Sequence, residues 1–512
     1  MALNIHAGAA GLLAAGVGLA VADLVAQQVR PESAPLFTVG GTIIDATPTA
    51  LKEFAVRTLG NADKPVLLAG IGLILAALAA TAGVVAANPR RRWLGIGLLA
   101  ALGLVGAVTA MLRPDAGPLD LVPGVVAATV AALTLVALTR RRAAQPGEPT
   151  GRDEQPGAAL GRDGRRQFLR TAGVVTGIAV VAAGGSAWLR RGRATATDRA
   201  RNSLILPPPA SPAPALPAGA GPDFVTPNRE FYRVDTALTV PRIDPDTWQL
   251  RITGMVDRPR TFTLDQLLDR PLLERHLTLN CVSNEVGGPY IGTAKWLGAS
   301  LASLIREAGP QAGADQLVAR GADGMTIGTP LETVLDGRDT MLVVGMNGEP
   351  LPADHGFPVR MLTPGVYGYV GSCKWLIELE VTTFDAYDVY WVKRGWAAKA
   401  PVKTASRIDR PAPLTPVSAG PVRVAGVAWA QRRGIASVEV QVDDGPWRQA
   451  ALAPSPSIDT WVQWSLMWPA EPGEHRLRVR ATDRTGAVQV EPRVTPFPDG
   501  ATGWHTLSVT VN

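Results

Sequence analysis

Long apolar segments with almost no charge constrain this chain more than any other feature. Each is close to the ~20 residues that an α-helix needs to cross the hydrocarbon core of a bilayer. Buried core helices of a soluble protein do not explain their number or their lack of charge. The sequence therefore predicts an α-helical membrane anchor of about five transmembrane helices. The segments lie at about residues 8–27, 66–88, 93–112, 119–139 and 168–189.

Arginine clusters beside these segments predict which loops face the cytoplasm. Arg90–Arg92 separate the second and third segments, and Arg140–Arg142 follow the fourth, whereas the loop after the third carries Arg113, Asp115 and Asp120. Cytoplasmic loops are enriched in Lys and Arg, so the N-terminus is predicted inside and everything after residue 190 outside. The net charge of +6 comes mostly from such clusters. It indicates topology signals, and no nucleic-acid partner is expected.

A pair of arginines stands immediately before the fifth segment. Arg165 and Arg166 precede Phe168, Leu169 and a moderately apolar stretch. This pattern resembles a twin-arginine export signal placed inside the chain, which would carry an already folded domain outward. The alternative is a further cluster of the positive-inside kind, which also predicts arginine here. The expected location is the cell membrane, multi-pass, with the C-terminal part outside the cytoplasm.

The apolar segments themselves offer little chemistry. His6 is the only histidine before residue 276, so no membrane haem held by two histidines is expected. Asp23 is the lone acid in the interior of a predicted span, since Asp120 stands at the start of the fourth. It is either a functional site or a residue near the membrane interface, and the second interpretation is favoured. Residues 31–64 form an unusually long, partly apolar outside loop whose role the sequence leaves open.

A proline-rich stretch divides the anchor from the rest of the chain. Residues 207–222 cannot form a helix or a central strand, because proline lacks the backbone donor, and are predicted to be an extended stalk. The predicted domains are the anchor at 1–190, the stalk at 191–222, a globular domain at 223–410 and a second globular domain at 411–512.

The globular part mixes short strand and helix patterns. "TWQLRITGMV" predicts a strand, and helices are expected after Thr263 and near Gly298. Without a regular strand-helix-strand repeat, this favours an α+β domain. After about residue 415, "VEVQV", "HRLRVRA" and "TLSVTV" alternate apolar and polar residues. That alternation predicts a C-terminal β-sandwich, immunoglobulin-like in outline.

One cysteine, Cys281, ends an alternating apolar run and stands before Asn284, Gly287 and Gly288. A lone cysteine in a strand is usually a small buried hydrophobe. The segments around Cys281 indicate a role beyond packing. Residues 346–381, together with 226–235, the cysteine segment and "KWLGASLASLI", resemble the molybdopterin-dependent oxidoreductases of the sulfite oxidase type.

The resemblance covers about residues 224–512 and implies a fold and a cofactor. It implies an α+β sulfite oxidase-like domain that binds molybdopterin, the molybdenum cofactor, and a sandwich similar to the family's dimerisation domain. The five-span anchor resembles a membrane-tethered bacterial subgroup. A small-molecule substrate, the lipid bilayer, an electron carrier that the sequence does not identify and a homodimer are the partners expected.

The resemblance also implies site residues. Cys281 matches the thiolate ligand of the metal, and a soft sulfur donor suits molybdenum. His355 and Arg360 match partners of the pterin phosphate, with Ser372 and Lys374 on the facing loop, and the catalytic residues are expected to be Cys281, Arg233 and Trp396. The cofactor-binding residues are expected to be Tyr232, Arg233, Asn284, Asp323, His355, Arg360, Ser372 and Lys374.

Two further groups have simpler interpretations. Cys373 could pair with Cys281 in an exported protein, but the bond would consume the expected metal ligand, so a small side chain packed beside the pterin loop is favoured. Trp461, Trp464 and Trp468 are spaced like an aromatic platform but lie in a β domain, where core and interface positions are expected.

Departures from sulfite oxidases bear on the substrate. Glu285 and Val286 stand where those enzymes carry a basic run, Trp396 replaces an expected tyrosine, and "TPFPDGATGWH" lacks an expected arginine. A sulfite dianion needs several cations, and Arg233 is the clear one remaining. The expected function is two-electron oxygen-atom transfer on a small substrate. The alternatives are an S-oxide or N-oxide reductase of the same fold and a non-catalytic membrane receptor or binding protein.

Overall fold

The computed structural model describes residues 2–48, 51, 58, 63–113, 116–139, 162–217 and 224–512. The chain divides into two compact units, Met1–Thr195 and Ala196–Asn512. The predicted topology signals at Asp115 and Arg140–Arg142 lie outside the described residues, as does the predicted domain boundary at residue 223.

The first unit is α-helical. Among its described residues, five helices are long and apolar enough to cross a membrane, as predicted, and they cover Ile5–Val29, Lys64–Ala86, Arg92–Met111, Pro118–Thr139 and Leu169–Ser203. The α-helices are α1 (Ala2–Val29), α2 (Pro35–Ala46), α3 (Asp63–Ala86), α4 (Arg92–Met111), α5 (Val122–Thr139) and α6 (Arg162–Ser203). Short 3-10 helices cover Pro31–Ser33 and Pro118–Leu121.

Small residues allow these helices to approach closely. A Cβ at Gly11 of α1 would collide with the backbone of Ala79, and a Cβ at Gly83 of α3 would collide with that of Ala7. Small residues at helix contacts are the usual device in membranes, where lipid tails leave van der Waals packing as a main attraction. The glycines of the apolar segments therefore serve packing.

The prediction of a long loop at 31–64 is wrong for part of that range, because α2 occupies Pro35–Ala46. The Thr38 hydroxyl donates to the carbonyl of Gly106 at 3.1 Å and accepts from Thr109 at 2.9 Å. Pro35 at the first helical turn is a start signal that fits this helix. Residues 31–46 thus pack against α4.

Asp23 is held by α6. Its carboxylate accepts hydrogen bonds from Ser186 and Arg190, at 2.5 Å each. One turn further along α1, Gln27 accepts from Arg193. A carboxylate among apolar helices is expensive unless it is paired, so these contacts give Asp23 a structural role as the link between α1 and α6.

The second unit begins with an α+β domain, as predicted. One mixed sheet has the strand order β2-β1-β10-β5-β6, and a second has β3-β4-β7-β8 with β9 on β7. The strands are β1 (Gln249–Gly254), β2 (Arg260–Thr263), β3 (Leu272–Asn280), β4 (Ile291–Ser300), β5 (Gln316–Gly321), β6 (Thr326–Pro330), β7 (Met341–Met346), β8 (Glu349–Pro350), β9 (Arg360–Leu362) and β10 (Leu376–Thr382). The helices are α7 (Leu264–Leu268), α8 (Leu301–Ala308), α9 (Leu331–Leu335) and α10 (Gly368–Gly371), with 3-10 helices at Ala353–His355 and Val392–Arg394.

Both predicted helices of this domain form, and caps explain where they start. The hydroxyl of Thr263 accepts from the amide of Gln266 at 3.3 Å, and the Gln266 side chain accepts from the amide of Thr263 at 3.0 Å. The Ser300 hydroxyl caps α8 in the same way, by accepting from the amide of Ser303. Such caps satisfy donors that the first turn leaves unpaired.

The C-terminal part is a β-sandwich of two four-stranded sheets, ordered β11-β12-β16-β15 and β14-β13-β17-β18. Trp464 and Trp468 lie in its core, and Trp461 lies in a neighbouring buried cluster with Phe224 and Tyr367, so all three are core residues as expected. The strands are β11 (Ala405–Arg410), β12 (Gly420–Trp429), β13 (Ile435–Val442), β14 (Arg448–Gln449), β15 (Ala451–Leu452), β16 (Val462–Ala470), β17 (Gly473–Asp483) and β18 (His505–Val511).

The predicted stalk differs from the structure at its start. Helix α6 continues to Ser203, so the first part of the range 191–222 is helical. Residues 204–217 have no helix or strand, yet Ser211 donates to Leu272 and accepts from Glu274 through the backbone. Because β3 holds the segment at Ser211, this part of the chain is not a free tether.

Candidate active site

Cys281 lies at the end of β3, in a tight connection to β4. Its amide donates to the carbonyl of Tyr290 at 2.9 Å, and its carbonyl accepts from the amide of Asn284 at 3.1 Å. Gly287 has a φ of +80°, a conformation that favours glycine. The Cys281 side chain is buried, with the residue 8% exposed. The ladder between β3 and β4 therefore fixes the backbone at the cysteine, and the glycine allows the turn.

The side chain of Asn284 shapes this connection. Its carbonyl oxygen accepts from the amide of Tyr290 at 2.9 Å, and a Cβ at Gly288 would lie only 2.6 Å from it. Asn284 thus closes the cysteine loop on itself. Its expected contact with the cofactor stays a prediction.

The environment of the Cys281 thiol is mixed. Burial raises its pKa, while hydrogen bonds from Ser283 and the nearby charge of Lys374 lower it. A coordinated metal ion favours the thiolate, which offsets the effect of burial. The site therefore suits a cysteine that ligates a metal better than one that acts as a free nucleophile.

Arg360 begins β9 and forms a polar cluster with His355, which is also buried, and with the half-buried Ser372 and Lys374. Its guanidinium donates to the Ser372 hydroxyl at 2.8 Å and to the His355 carbonyl at 3.4 Å, and it lies 5.4 Å from the ring centre of Trp296. Burial lowers the pKa of Arg360. Within the described part of the chain, no carboxylate pairs with this buried cation.

His355 is held in place through its ring. Its Nε2 lies 3.0 Å from the carbonyl of Asn228, to which it donates, and Phe231 packs edge-on at 5.7 Å. Burial and the charge of Arg360 lower the pKa of His355 to about 4. An anion beside the ring would raise that pKa and let Nδ1 carry a proton toward the anion.

Lys374 belongs to an ion-pair network that the sequence did not reveal. Its ammonium donates to Asp235 at 2.7 Å, and Asp235 also pairs with Arg233 at 3.3 Å. Arg233 reaches Asp354 at 3.1 Å. Burial and the charge of Arg360 lower the pKa of Lys374 to about 8, although Asp235 opposes the shift. Asp235 is thus a positioning residue for two predicted site residues.

The cluster fits the phosphate of a pterin cofactor. The charge of Arg360 repels a second positive charge on His355 or Lys374 and so lowers the pKa of both. A dianion between them would convert the repulsion into charge-assisted hydrogen bonds. A Cβ at Gly368 would make ordinary van der Waals contacts, at 3.7 Å from the Asn280 carbonyl and 4.0 Å from the Tyr232 hydroxyl.

Asp323 lies near Lys374. Its carboxylate accepts from the amide of Met325 at 3.2 Å. Burial, with a smaller contribution from Asp235, raises the pKa of Asp323 to about 6, while Lys374 lowers it. The structure therefore brings this weakly matched residue to the edge of the cluster.

Tyr232 and Trp396 occupy different surroundings. Tyr232 stacks on Phe231 at 5.2 Å, and burial together with the neighbouring Cys281 raises its pKa. Trp396 packs against Tyr369 at 5.7 Å and Phe497 at 5.3 Å, and its indole nitrogen is buried without a partner among the described residues. Tyr232 thus adjoins the cysteine, whereas the contacts of Trp396 are with other aromatic rings.

Both cysteines are free in the structure, so the alternative of a Cys281–Cys373 disulfide is not formed. Cys373 is 1% exposed and lies in the main hydrophobic core of the α+β domain. Desolvation raises its pKa well above the usual value. The favoured interpretation of Cys373 as a packed side chain agrees with this position.

Comparison with known proteins identifies the family. Residues 237–391 match the family model of the oxidoreductase molybdopterin binding domain. The sulfite oxidase of Gallus gallus is 31% identical over 335 residues, which are 55% of this chain and 72% of that protein. The mitochondrial sulfite oxidase of Homo sapiens is 29% identical over 342 residues. The chain belongs to the sulfite oxidase-type family of molybdopterin-dependent oxidoreductases.

The similarity to known proteins covers part of this chain and part of each relative. The aligned region is 57% of this chain and spans 62% of the human sulfite oxidase. The crystal structure of the sulfane dehydrogenase SoxCD from Paracoccus pantotrophus has the same fold, with a TM-score of 0.50, 24% identity, and coverage of 61% of this chain and 89% of that one. The family model includes Cys281 and the whole Arg360 cluster, whereas Arg233 precedes it and Trp396 follows it.

If Lys374 contacts an anion as predicted, binding of that anion should depend on pH. Because its pKa is about 8, its charge is lost as the pH rises through that value. Retention of the cofactor should therefore fall between about pH 7 and about pH 9. For the cofactor-free protein the sign is opposite. The unfolded chain binds more protons between the folded pKa of about 8 and the unfolded pKa of 10.5, so stability rises with pH across that range.

The matched control is Lys374→Arg, which keeps its charge. Dialysis at each pH followed by quantification of bound pterin measures retention, and thermal melting of cofactor-free protein measures stability. An equal loss of pterin with pH in the arginine variant would contradict the assignment to Lys374.

Proposed function

We propose that this chain is a membrane-anchored, outward-facing molybdenum oxidoreductase that carries out two-electron oxygen-atom transfer on a small substrate. The observation that carries the proposal is the polar cluster of the buried Arg360 and His355 with the half-buried Ser372 and Lys374. Lys374 is close enough to Cys281 to lower the pKa of its thiol. Family membership supports the same activity.

The residues have distinct roles in this proposal. Bound molybdopterin supplies a metal centre that exchanges two electrons with the substrate. Cys281 holds the metal as a thiolate, and the cluster around Arg360 holds the pterin phosphate. Arg233, about one-third exposed and anchored by Asp235 and Asp354, presents a cation to the substrate. Burial disfavours the phenolate of Tyr232, so its hydroxyl keeps its proton and can donate.

Charge near the cysteine favours a neutral or weakly polar substrate. Arg233 is already paired with two carboxylates, and Glu285 places an acid on the cysteine loop. Arg493 lies 4.0 Å from Glu285 and offsets part of that charge. A dianion such as sulfite would meet few uncommitted cations, and the repulsion from like charges in a partly desolvated site amounts to a few kcal/mol at an effective dielectric of ~20.

The test uses the full chain, purified in detergent from a host that makes the cofactor. We expect about one molybdenum per chain, a stoichiometry that follows from one Cys281 site. Steady-state kinetics with an artificial electron carrier should give a higher specificity constant for neutral S-oxides or N-oxides, or their reduced forms, than for sulfite. A folded chain without molybdenum would favour the non-catalytic alternative, and a highest value for sulfite would overturn the charge argument.

The orientation in the membrane is proposed from the arginine clusters. Five apolar helices long enough to span a bilayer indicate membrane association. Arg90–Arg92 between the second and third helices place that loop inside, which puts the C-terminal unit outside after five crossings. The electron carrier is then an extracytoplasmic one, and the sandwich is the surface proposed for homodimer formation.

Export should depend on the pair before the fifth helix. Changing Arg165 and Arg166 together to Lys keeps the positive charge but removes a twin-arginine signal. We expect the first four helices to insert while the C-terminal unit stays inside. Protease accessibility in spheroplasts measures this, and the matched control is Arg90→Lys with Arg91→Lys. If the C-terminal unit remained accessible from outside in the Arg165 and Arg166 variant, the pair would act only as a topology signal.

A further inference from the structure

The β-sandwich contacts the chain just before Cys281. Thr278 of β3 donates through its amide to the carbonyl of Asp459 at 3.0 Å, and its hydroxyl accepts from the amide of Trp461 at 2.8 Å. The side-chain amide of Gln431 donates to the carbonyl of Thr278. Asp459 and Trp461 precede β16, and Gln431 follows β12. The sandwich therefore satisfies both backbone groups and the hydroxyl of Thr278.

The sandwich also contacts the chain just after Cys281. Arg407 of β11 donates to the carbonyl of Gly288 at 2.8 Å. The ring of His505, at the start of β18, lies against Gly287, where any Cβ would collide with it. Arg493 approaches Glu285 at 4.0 Å. Three successive parts of the loop thus rest on the sandwich.

From these contacts we infer that the C-terminal sandwich positions the metal-binding thiol, through a clamp formed by Gln431, Asp459 and Trp461 on one side and Arg407 and His505 on the other. The inference rests on the proposed function only in taking Cys281 as the metal ligand. The sandwich then serves the oxidoreductase site as well as any partner surface.

The two sides of the clamp act together. The β3–β4 ladder and the Cys281–Tyr290 and Asn284–Tyr290 bonds hold the base of the cysteine loop, and the contacts from the sandwich hold its tip at residues 285–288. Anchors on both sides restrict the movement of a residue that must meet a metal within a few tenths of an ångström. Removing the loop anchors should let Cys281 swing toward solvent while β3 stays paired with β4.

His505 acts by packing and not by charge. Its Nδ1 accepts from the amide of Ile408 at 3.0 Å. Burial, together with Arg407 and Arg493, lowers the pKa of His505 to about 4, so the ring is neutral at physiological pH. Arg407 is itself oriented by Asp409 at 2.6 Å. These internal contacts make both side chains rigid supports for the loop.

The experiment compares His505→Ala combined with Arg407→Ala against His475→Ala in the full chain in detergent. His475 lies in the same sandwich, where its ring contacts Asp443, Glu471 and Trp468. Cofactor-free protein is treated with a neutral disulfide reagent, and peptide mass mapping follows Cys281 and Cys373 separately. We expect Cys281 to react about tenfold faster in the double variant, with Cys373 and the His475→Ala protein unchanged, and molybdenum affinity to fall by about 10–100-fold.

The readout distinguishes this inference from the proposed function, because thiol reactivity is measured without any cofactor. Equal Cys281 reactivity in the double variant and the control would overturn the clamp, whatever metal the native protein binds. If Cys373 also became reactive, the double variant would be opening its core. The single variant Arg407→Met, which removes the donor to Gly288 and keeps a side chain of similar length, is then judged by the same criterion. Faster labelling of Cys281 alone supports the clamp, and unchanged labelling overturns it.

Discussion

Replacing Cys281 by serine is expected to lower turnover by about 10³-fold, because the variant loses about 4 kcal/mol of transition-state stabilisation when a soft sulfur ligand becomes a hard hydroxyl. The fold should remain, since serine is slightly smaller and the loop is held by backbone bonds at Tyr290. The pterin should remain as well, because the residues proposed to hold its phosphate, Arg360, Ser372 and Lys374, do not depend on the thiol.

The matched control is Cys373→Ser, which changes the other buried thiol of the chain. Cys373 lies in the hydrophobic core, so a hydroxyl there should lower stability by roughly 1–3 kcal/mol while turnover per bound cofactor stays near native. Bound pterin, molybdenum, melting temperature and turnover are measured on both proteins. Native turnover in Cys281→Ser, or an equal loss per cofactor in Cys373→Ser, would contradict the ligand assignment.

Local signals in the sequence predicted much of the architecture. Apolar length alone predicted the five long helices, because a bilayer requires one length and one composition. Thr263 and the residues after Gly298 marked helix starts that the structure confirms at Leu264 and Leu301. Alternation with period two predicted the strands of the sandwich. These features depend on neighbouring residues, which a single sequence displays.

Features that depend on contacts between residues far apart in the chain were not predicted from the sequence. Asp235 stands directly after Arg233 and Val234, yet its role arises from a bond to Lys374, which is 139 residues away in the chain. Helix α2 was missed because a short apolar stretch after Pro35 resembles a loop until α4 packs on it. The only available signal for Asp235 was an acid within a segment that already resembled the family's cofactor site.

The structure corrects the distribution of charge that the sequence predicts near Cys281. The loop "TPFPDGATGWH" lacks an arginine, but Arg493, two residues before it, lies 4.0 Å from Glu285. Arg407 also directs a guanidinium at Gly288. Both arginines already contact the cysteine loop. They therefore help to hold the loop and add little positive charge at the proposed metal site.

Replacing Arg360 by methionine should affect cofactor binding and apo stability in opposite directions. A buried guanidinium without a carboxylate partner is expensive to desolvate, so an apolar side chain of similar length should leave the cofactor-free protein equally stable or more stable. The same change removes charge-assisted hydrogen bonds worth about 1.5–3 kcal/mol each to a bound phosphate. Cofactor affinity should fall by about 10–100-fold per lost bond, since 1.4 kcal/mol is a factor of ten.

Arg320→Met is the matched control for these opposite effects on cofactor affinity and on the stability of the cofactor-free protein. Arg320 pairs with Glu380, and its guanidinium lies 4.9 Å from the ring centre of Tyr387, so its loss should lower stability and leave cofactor affinity unchanged. Pterin titration and thermal melting of cofactor-free full-length protein measure both quantities for both variants. A methionine at position 360 that retained native affinity would mean that the phosphate lies elsewhere. Reduced affinity with reduced apo stability would mean that Arg360 supports the fold of the cluster before any anion arrives.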